Sequence, residues 1–480
     1  VMEIVDSFCG IGPWADRDTL LPYSADDVLE QMDYFGISRA LVHANIAADR
    51  GRAPAANTMV AEAAAGPRGA ARRRPVTYVG RSADAPWRKS AAGRIEKHRM
   101  AGIVVKVVDA KGAAAGGAVV RVQQRRHAFG FGNIISPRTF MLRGSDGKTY
   151  RRIFAEHFNK ATFEMGFRWQ NWFRPARRGR LDEHKKQLDK LIRFCRSREI
   201  GIRGHYLAWA PLTRESYKPT DYGKHPKRLW PELSAHIDEM LAFDDGRLAE
   251  WDAINHIIGW RDTMATVTGS NEIYAKIIRH ARSKTKTPLW VNEGAVLPGG
   301  RQLEAYEKVI RYLIESKASP DGIGFMAHFK DSTLRPIDEL WAIYNRFAKL
   351  GLPLQLTEFD IDTRNERLQG DYLRDVMTIT FSHPSFNAMV MWGFWEGRHW
   401  RPDAALWRKD WSIKPSGKMW KELVYKTWWT DRTGQTDATG TFAARGFLGK
   451  YRITVGEGQK RQVRDVTLAR KGATVAVKLP

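Results

Sequence analysis

The sequence predicts a (β/α)8 barrel with an accessory β-sandwich formed from segments before and after the barrel. Between residues 126 and 430, segments of strand character alternate eight times with segments of helical periodicity. Short alternating strands separated by Gly-containing turns stand on both sides of that region. The chain has 480 residues, which exceeds one ordinary domain and leaves room for such attachments.

The composition is that of a globular protein with an unusual charge. Hydrophobic residues make up 43% of the chain, and no run of 18 apolar residues occurs, so we expect no transmembrane helix and no membrane partner. The 78 Lys and Arg exceed the 53 Asp and Glu by 25. Such a surplus favours polyanionic partners. Nucleic acid is disfavoured because the basic residues do not interleave with aromatic ones, and acidic glycans remain candidates.

The cysteines and the first residues say little about location. Cys9 and Cys195 lie far apart and show neither a disulfide framework nor zinc-ligand spacing. No signal peptide is evident in the first residues. We expect a secreted or periplasmic protein if a signal peptide was removed, and a cytoplasmic one otherwise.

The first hundred residues divide into two parts. Residues 1–65 read as a short α/β accessory fragment, with strands at 2–5 and 39–43 and a helix at 25–35. Residues 66–100 are rich in Ala, Gly and Pro and carry a large excess of Arg and Lys. This stretch is predicted to be a basic linker in solvent, with a tether for a polyanion as the alternative.

The sandwich is predicted from two separated segments, residues 101–125 and 431–480. Its strands are placed at 103–108 and 118–122, and then at 441–447, 451–455, 464–468 and 474–479. The motif V-V-D-A-K-G followed by G-A-V-V, and the closing motif T-D-A-T-G-T-F, resemble the two halves of a carboxypeptidase-regulatory-like sandwich. This resemblance implies one β-domain interrupted by the barrel.

The eight barrel strands follow in order, and seven of the helical segments between and after them are clear. The strands are placed at 127–133, 160–165, 201–209, 250–256, 288–293, 322–329, 353–361 and 386–395. The helices are placed at 182–198, 229–242, 272–283, 302–316, 337–350, 367–381 and 418–428. Catalytic groups of such barrels lie at the carboxyl ends of the strands.

Those strand ends carry an aromatic and polar set that suits sugar chemistry. A carboxylate can attack or stabilise an oxocarbenium-like centre, amides and imidazoles bind hydroxyl groups, and indoles stack on pyranose faces. Any one of these side chains would also fit a barrel core, but their joint position at successive strand ends favours a sugar-binding site. The set comprises Glu164, Arg168, Trp169, His205, Trp209, Asn255, His256, Asn292, Glu293, His328, Glu358, Asp360, Trp392, Trp395 and Glu396.

Six motifs in order resemble family 10 glycoside hydrolases, the xylanase family. They are F-N-x-x-T-x-E-x-x-x-x-W from residue 158, R-G-H-x-L-x-W from 203, W-D-x-x-N from 251, G-I-G-x-x-x-H from 322, T-E-x-D-I from 357 and W-G at 392. The resemblance implies a retaining glycosidase with Glu358 as the nucleophile and His328 beside it. It also implies substrate binding by Glu164, Arg168, Trp169, His205, Trp209, Asn255, Trp392 and Trp395, with no cofactor or metal.

The chain departs from the family pattern where the acid/base Glu is expected, because residue 256 is His. Three accounts stay open: His256 is the acid/base, Glu293 or Glu396 replaces it, or acid catalysis is lost and the barrel only binds carbohydrate. Sugar-binding positions of the family pattern are also altered, at Met165, Gly166, Arg168, Ala210 and Met326. We therefore expect hydrolysis of a β-linked polysaccharide or oligosaccharide other than ordinary xylan.

The opening segment bears a second resemblance, to the first strand of amidohydrolases. That family has an H-x-H metal pair after the strand, but the two positions here are Phe8 and Gly10. A metal hydrolase is therefore disfavoured, and the fragment keeps no assigned role.

Overall fold

The computed structural model describes residues 76–212, 222–259, 262–300, 302–458 and 461–480, together with the strand residues 10–11 and 43–44. The chain divides into two compact units, residues 1–76 and 77–480. In the first unit, strand β1 (Gly10–Ile11) pairs in parallel with β2 (His43–Ala44). The predicted strand at 2–5 and helix at 25–35 lie outside the described residues.

The second unit contains a β-sandwich whose strands come from segments on both sides of the barrel in the chain. Strands β3 and β4 precede the barrel and the remaining five follow it: β3 Met100–Val108, β4 Val119–His127, β13 Asp431–Gln435, β14 Thr441–Phe447, β15 Gly449–Val455, β16 Gln462–Leu468 and β17 Ala473–Lys478. One sheet has the order β13-β4-β15-β16 and the other β14-β3-β17. The predicted split sandwich is thus confirmed.

The core of the sandwich is built from alternate residues of its strands. Buried and less buried residues alternate along β3, so that one face of the strand packs inward. Val105, Val122 and Ile453 are among its fully buried side chains. The edge strand β13 was not predicted, because its sequence D-R-T-G-Q has no apolar alternation and its side chains are largely exposed.

Eight parallel strands close into a barrel between the two sandwich segments, as predicted. They run in chain order around the barrel, and the last strand pairs with the first. The strands are β5 Gly130–Ile135, β6 Lys160–Phe163, β7 Gly201–Trp209, β8 Glu250–Asn255, β9 Leu289–Glu293, β10 Gly322–Lys330, β11 Leu354–Asp362 and β12 Phe386–Met391. Strands β8 and β9 are buried along their whole length, as expected for parallel strands covered on both faces.

Helices cover the outside of the barrel, and one more helix precedes the sandwich. They are α1 Trp87–Arg99, α2 Pro137–Phe140, α3 Gly144–His157, α4 Trp169–Arg177, α5 Leu181–Arg196, α6 Leu229–Asp244, α7 Met264–Thr268, α8 Glu272–Lys284, α9 Leu303–Glu315, α10 Ile337–Ala348, α11 Glu366–Ser382 and α12 Pro415–Glu422. A π-helical turn, Leu423–Thr427, extends α12. All seven predicted helical segments are present. None of the helices in the described part of the chain is long and apolar enough to span a membrane.

The prediction of a basic linker at 66–100 is wrong for its second half, which contains α1. The helix buries Trp87, Ala91, Ile95 and Arg99, a stripe spaced four residues apart that lies on one helical face. The many charged residues between these four positions obscured this short stripe in the sequence. Residues 66–75 lie outside the described residues.

Basic residues of this segment attach it to the barrel. Arg88 forms an ion pair of 2.7 Å with the fully buried Asp375 of α11. Arg99 is buried and donates to the backbone carbonyls of Phe381, His383 and Phe386. These arginines therefore hold the fold together, and their charge is not simply solvated.

The sandwich meets the barrel at the end where the strands begin. Arg126 at the end of β4 donates to the carbonyl of Asn159, immediately before β6, over 2.9 Å. Arg99, the last residue of α1 and directly before the first sandwich strand, donates to the carbonyl of Phe386, the first residue of β12. The predicted site residues stand at the opposite end of the barrel strands.

Candidate functional site

A buried charge network fills the barrel below the site. The guanidinium of Arg203 on β7 donates to Glu250 Oε1 over 2.6 Å and to Gln355 Oε1 over 2.9 Å. Glu250 also forms an ion pair of 2.8 Å with Lys160. Two cations thus face Glu250 and Asp252, so the buried charges are balanced and hold four strands in register.

Asp252 on β8 connects this network to the site above it. Its carboxylate contacts Arg203 on one side and lies 2.7 Å from Nδ1 of His205 on the other. Burial alone raises the pKa of a carboxyl, but the attraction of Arg203 and the hydrogen bond from His205 outweigh it and lower the pKa of Asp252 to about 2. A carboxylate only accepts, so His205 donates from Nδ1 and presents Nε2 to the site.

The predicted nucleophile, Glu358 on β11, is held by two side chains. Asn292 donates to its Oε1 over 3.0 Å, and His328 Nε2 lies 3.1 Å from its Oε2. Asn292 is itself fixed, since it donates to Asn255 Oδ1 over 2.8 Å and accepts from Thr357 over 2.6 Å. The carboxylate therefore has a defined orientation at the carboxyl end of its strand.

The electrostatic surroundings keep Glu358 ionised. Burial favours the neutral form, but the hydrogen bond from His328 and the charges of His205, His328 and His256 lower the pKa of Glu358 below its ordinary value. A nucleophilic carboxylate needs this protonation state.

His328 lies between two carboxylates. Its Nε2 faces Glu358, and its Nδ1 is 3.1 Å from Asp360 Oδ2. Burial opposes a charge on the ring, but Asp360 and Glu358 together raise the pKa of His328 to about 9. At neutral pH His328 is therefore a cation that lies between the carboxylates of Glu358 and Asp360.

His256 follows β8 and faces Glu293 at the end of β9. Its Nδ1 is 3.3 Å from Glu293 Oε1, and its ring meets that of Trp209 edge-on at 4.6 Å between centroids. The backbone of His256 is left-handed, with φ of 52°. His256 lies near enough to Glu358 to help lower the pKa of that carboxyl.

The other two candidate carboxylates are engaged elsewhere. Both oxygens of Glu293 accept hydrogen bonds from the backbone, donated by Ile258, Gly259 and Gly294. Glu396 lies in the 3₁₀ turn Glu396–Arg398, where its Oε2 accepts from the backbone N–H of Lys409 over 2.8 Å. In the described part of the chain, Glu396 makes no hydrogen bond to the group around Glu358.

Glu164 and Arg168 stand at the end of β6, on the side of His205. Burial raises the pKa of Glu164, and although the charges of Arg168 and His205 oppose the shift, the neighbouring Glu358 adds to it. The pKa values of Glu164 and Glu358 are thus displaced in opposite directions, although the two carboxyls influence each other.

The predicted aromatic residues fall into two groups. Trp392 packs edge-on against His205 at 5.2 Å, and Trp209 contacts His256, so both border the site. Trp169 is buried and stacks on His236 at 5.1 Å, whereas Trp395 stacks on Trp411 at 4.3 Å and is also buried. Trp169 and Trp395 therefore lie within packed aromatic pairs.

Sequence reasoning missed Trp400, although it follows the W-G motif by eight residues. Its indole is 53% exposed, donates to Asp360 Oδ2 over 2.7 Å and meets the ring of His328 at 4.9 Å. An exposed indole fixed beside the candidate nucleophile is suited to stacking on a sugar ring. The described residues contain no cluster of His, Cys, Asp and Glu that would hold a metal ion.

Comparison with known proteins identifies the barrel. The model of glycosyl hydrolase family 10 matches residues 122–422. Anti-sigma-I factor RsgI6 from Acetivibrio thermocellus is 30% identical over 386 residues, which are 80% of this chain and 48% of that protein. Endo-1,4-beta-xylanase 1 from Arabidopsis thaliana is 26% identical over 75% of this chain and 37% of its own length. The chain thus spans about half or less of these relatives.

Solved structures share the fold. Native xylanase 10B from Thermotoga maritima superimposes with a TM-score of 0.54 at 22% identity, over 62% of this chain and 96% of that chain. Xylanase 10B from Thermotoga petrophila in complex with xylobiose gives 0.53 at 21% identity, over 62% and 95%. The family match covers well over half of the chain, and the chain therefore belongs to glycosyl hydrolase family 10.

Proposed function

We propose that this protein hydrolyses a β-linked polysaccharide or oligosaccharide with retention of configuration. The observation that carries the proposal is the Glu358 carboxylate, which is buried at the strand ends of a family 10 barrel, oriented by hydrogen bonds from Asn292 and His328, and kept ionised by His328 and the neighbouring histidines. Retention is the general mechanism of this family and needs a carboxylate nucleophile.

In the proposed first step, Glu358 attacks the anomeric carbon and the bond from that carbon to the leaving oxygen breaks. His256 donates its proton to this oxygen, and a glycosyl ester remains on Glu358. In the second step, water attacks the anomeric carbon, its proton passes to His256, and the ester bond to Glu358 breaks. One water is consumed and both side chains return to their starting states.

The geometry favours His256 over the two carboxylates as the acid/base. Glu293 already meets backbone donors at both oxygens, so a proton on it would face one of those N–H groups. Glu396 accepts a hydrogen bond from the backbone N–H of Lys409, and within the described residues it makes no hydrogen bond to the group around Glu358. His256 influences Glu358 directly through its charge.

The substrate is proposed to differ from ordinary xylan. The chain has Met165, Gly166, Arg168, Ala210 and Met326 where the family pattern carries other sugar-binding residues. A panel of β-linked glycans that includes uronate-bearing and sulfated polymers tests this proposal, and a strong preference for unsubstituted xylan would contradict it.

Mechanism-based labelling tests the nucleophile. A 2,4-dinitrophenyl 2-deoxy-2-fluoro-β-glycoside should form a stable ester on the peptide containing Glu358, detected by mass spectrometry of a digest. Glu358→Gln should abolish both labelling and turnover, whereas the matched control Glu156→Gln, on the exposed face of α3, should retain both. Full activity of Glu358→Gln on any substrate that the wild type cleaves would refute the proposal.

A carbohydrate-binding protein without turnover is the second candidate, favoured by the His at position 256 where the family pattern has Glu. It predicts glycan affinity that is indifferent to Glu358→Gln, with no hydrolysis of either activated aryl glycosides or polysaccharides. Turnover of an activated aryl glycoside excludes it.

A further inference from the structure

The carboxylate of Glu293 is fixed by the backbone that follows two strands. Its Oε2 accepts from Ile258 N over 2.6 Å and from Gly259 N over 3.2 Å, while its Oε1 accepts from Gly294 N over 2.7 Å. The residue is 1% exposed. Four donors, counting His256, converge on two oxygens, an arrangement that suits a carboxylate, which only accepts.

This arrangement decides which nitrogen of His256 carries a proton. Because Glu293 accepts, Nδ1 at 3.3 Å must donate, and the neutral ring is then the Nδ1–H tautomer. Proton transfer therefore occurs at Nε2, the nitrogen on the far side of the ring. The ring of Trp209, which packs edge-on with its centroid 4.6 Å from that of His256, and the left-handed backbone of His256 further restrict the imidazole.

We infer that Glu293 is the positioning residue of a His256–Glu293 pair, in which Nε2 of His256 is the acid/base atom of the reaction. This inference rests on the proposed function and deepens it. The carboxylate does not exchange a proton with substrate; it holds the tautomer and the ring angle, and it stabilises the imidazolium that forms after glycosyl–enzyme hydrolysis.

The dependence on the leaving group separates this role from a structural one. A phenyl β-glycoside needs protonation of its leaving oxygen, whereas the 2,4-dinitrophenyl β-glycoside of the same sugar needs little. We expect Glu293→Gln to lower kcat/KM for the phenyl compound about 10- to 100-fold, as the loss of a positioning carboxylate does elsewhere. The 2,4-dinitrophenyl compound should change less than about threefold, because general acid catalysis contributes little there.

A double variant tests whether the two residues act as one unit. His256→Ala should show the same selective loss, larger than that of Glu293→Gln, and adding Glu293→Gln to it should cost no more than about threefold. Glu304→Gln, an exposed residue in the first turn of α9, is the matched control and should match the wild type. Equal losses on both substrates, or full additivity in the double variant, would overturn the inference.

The tautomer of His256 can be measured in the wild-type protein, so this test does not depend on the activity of a variant. Nitrogen NMR of ¹⁵N-histidine-labelled protein, with the His256 signals assigned by their loss in His256→Ala, should show Nδ1–H and an unprotonated Nε2 in the neutral ring. An Nε2–H tautomer refutes the pair. If the wild type turns over no glycoside while the Nδ1–H tautomer is present, the proposed function fails and the pairing stands.

Discussion

The ion pairs of His328 should make the stability of the barrel fall as the pH becomes alkaline. The ring lies 3.1 Å from both Glu358 Oε2 and Asp360 Oδ2, and these contacts raise the pKa of His328 to about 9. In an unfolded chain the pKa of His is about 6.5. A group whose pKa is higher in the folded state stabilises the fold fully below the unfolded value, and loses that contribution as the pH rises through the folded value.

The magnitude follows from the displacement of the pKa. A rise from about 6.5 to about 9 corresponds to roughly 3.5 kcal/mol at most, at about 1.4 kcal/mol for each pH unit. The side chain is 17% exposed, so solvent screens the pairs only slightly. The loss should begin near pH 6.5 and be nearly complete just above pH 9.

Urea unfolding from pH 6 to pH 10 measures this loss. We expect the free energy of unfolding of the wild type to fall relative to that of His328→Asn, which has no charge to lose, by up to about 3.5 kcal/mol across the window. His225→Asn, at an exposed position, should follow the wild type. If the wild type and His328→Asn respond to pH in parallel, the pairs do not stabilise the fold and the reasoning is refuted.

Two further predictions concern the anchor of α1 and the exposed indole. Asp375→Asn should lower the free energy of unfolding by about 3–5 kcal/mol in a denaturation experiment, because the variant removes the carboxylate that pairs with Arg88, whereas Arg374 keeps its second partner Asp371. A change below about 1 kcal/mol would contradict the role of this anchor. Trp400→Ala should raise KM for an oligosaccharide about 5- to 30-fold, because this variant loses the aromatic ring that stacks on the sugar beside His328. Trp400→Phe keeps an aromatic ring and should retain most of the affinity. Equal KM values for the two variants would contradict stacking.

The barrel was predictable because its strands and helices each carry a clear period. A buried strand such as β12, F-N-A-M-V-M, is a short and mostly apolar run, and the helices bury one stripe each. Helix α1 was missed because only its four-residue stripe of Trp87, Ala91, Ile95 and Arg99 faces the barrel, and one member of that stripe is charged. No periodicity of hydrophobic residues reveals a buried arginine that is satisfied by three carbonyls.

The sequence allowed the site residues to be placed at the strand ends, but it did not predict the hydrogen bonds and ion pairs that connect them. Residues such as Glu358, His328 and Asn255 could be placed together, since parallel strands in a barrel end at one face. The role of Asp252 depends on the register between β7 and β8, which sets Arg203 and His205 on either side of its carboxylate. That register is a property of the closed barrel and has no local signal in the chain.

The structure also changes how the surplus of 25 positive charges should be interpreted. Arg99 is buried against carbonyls, and Arg88 neutralises a buried carboxylate, so part of the basic N-terminal segment has a structural partner inside the chain. Attachment occurs where the barrel strands begin and along α11, whereas the group around Glu358 stands at the opposite strand ends. A polyanionic ligand that bound these arginines would have to displace ion pairs that hold the fold, and it would then lie away from the strand ends that carry Glu358. A preference for acidic glycans would therefore have to come from basic residues near the Glu358 group, such as Arg168, whose charge acts on Glu164, and Arg401, which lies 3.8 Å from Asp360. The total charge of the chain does not provide it.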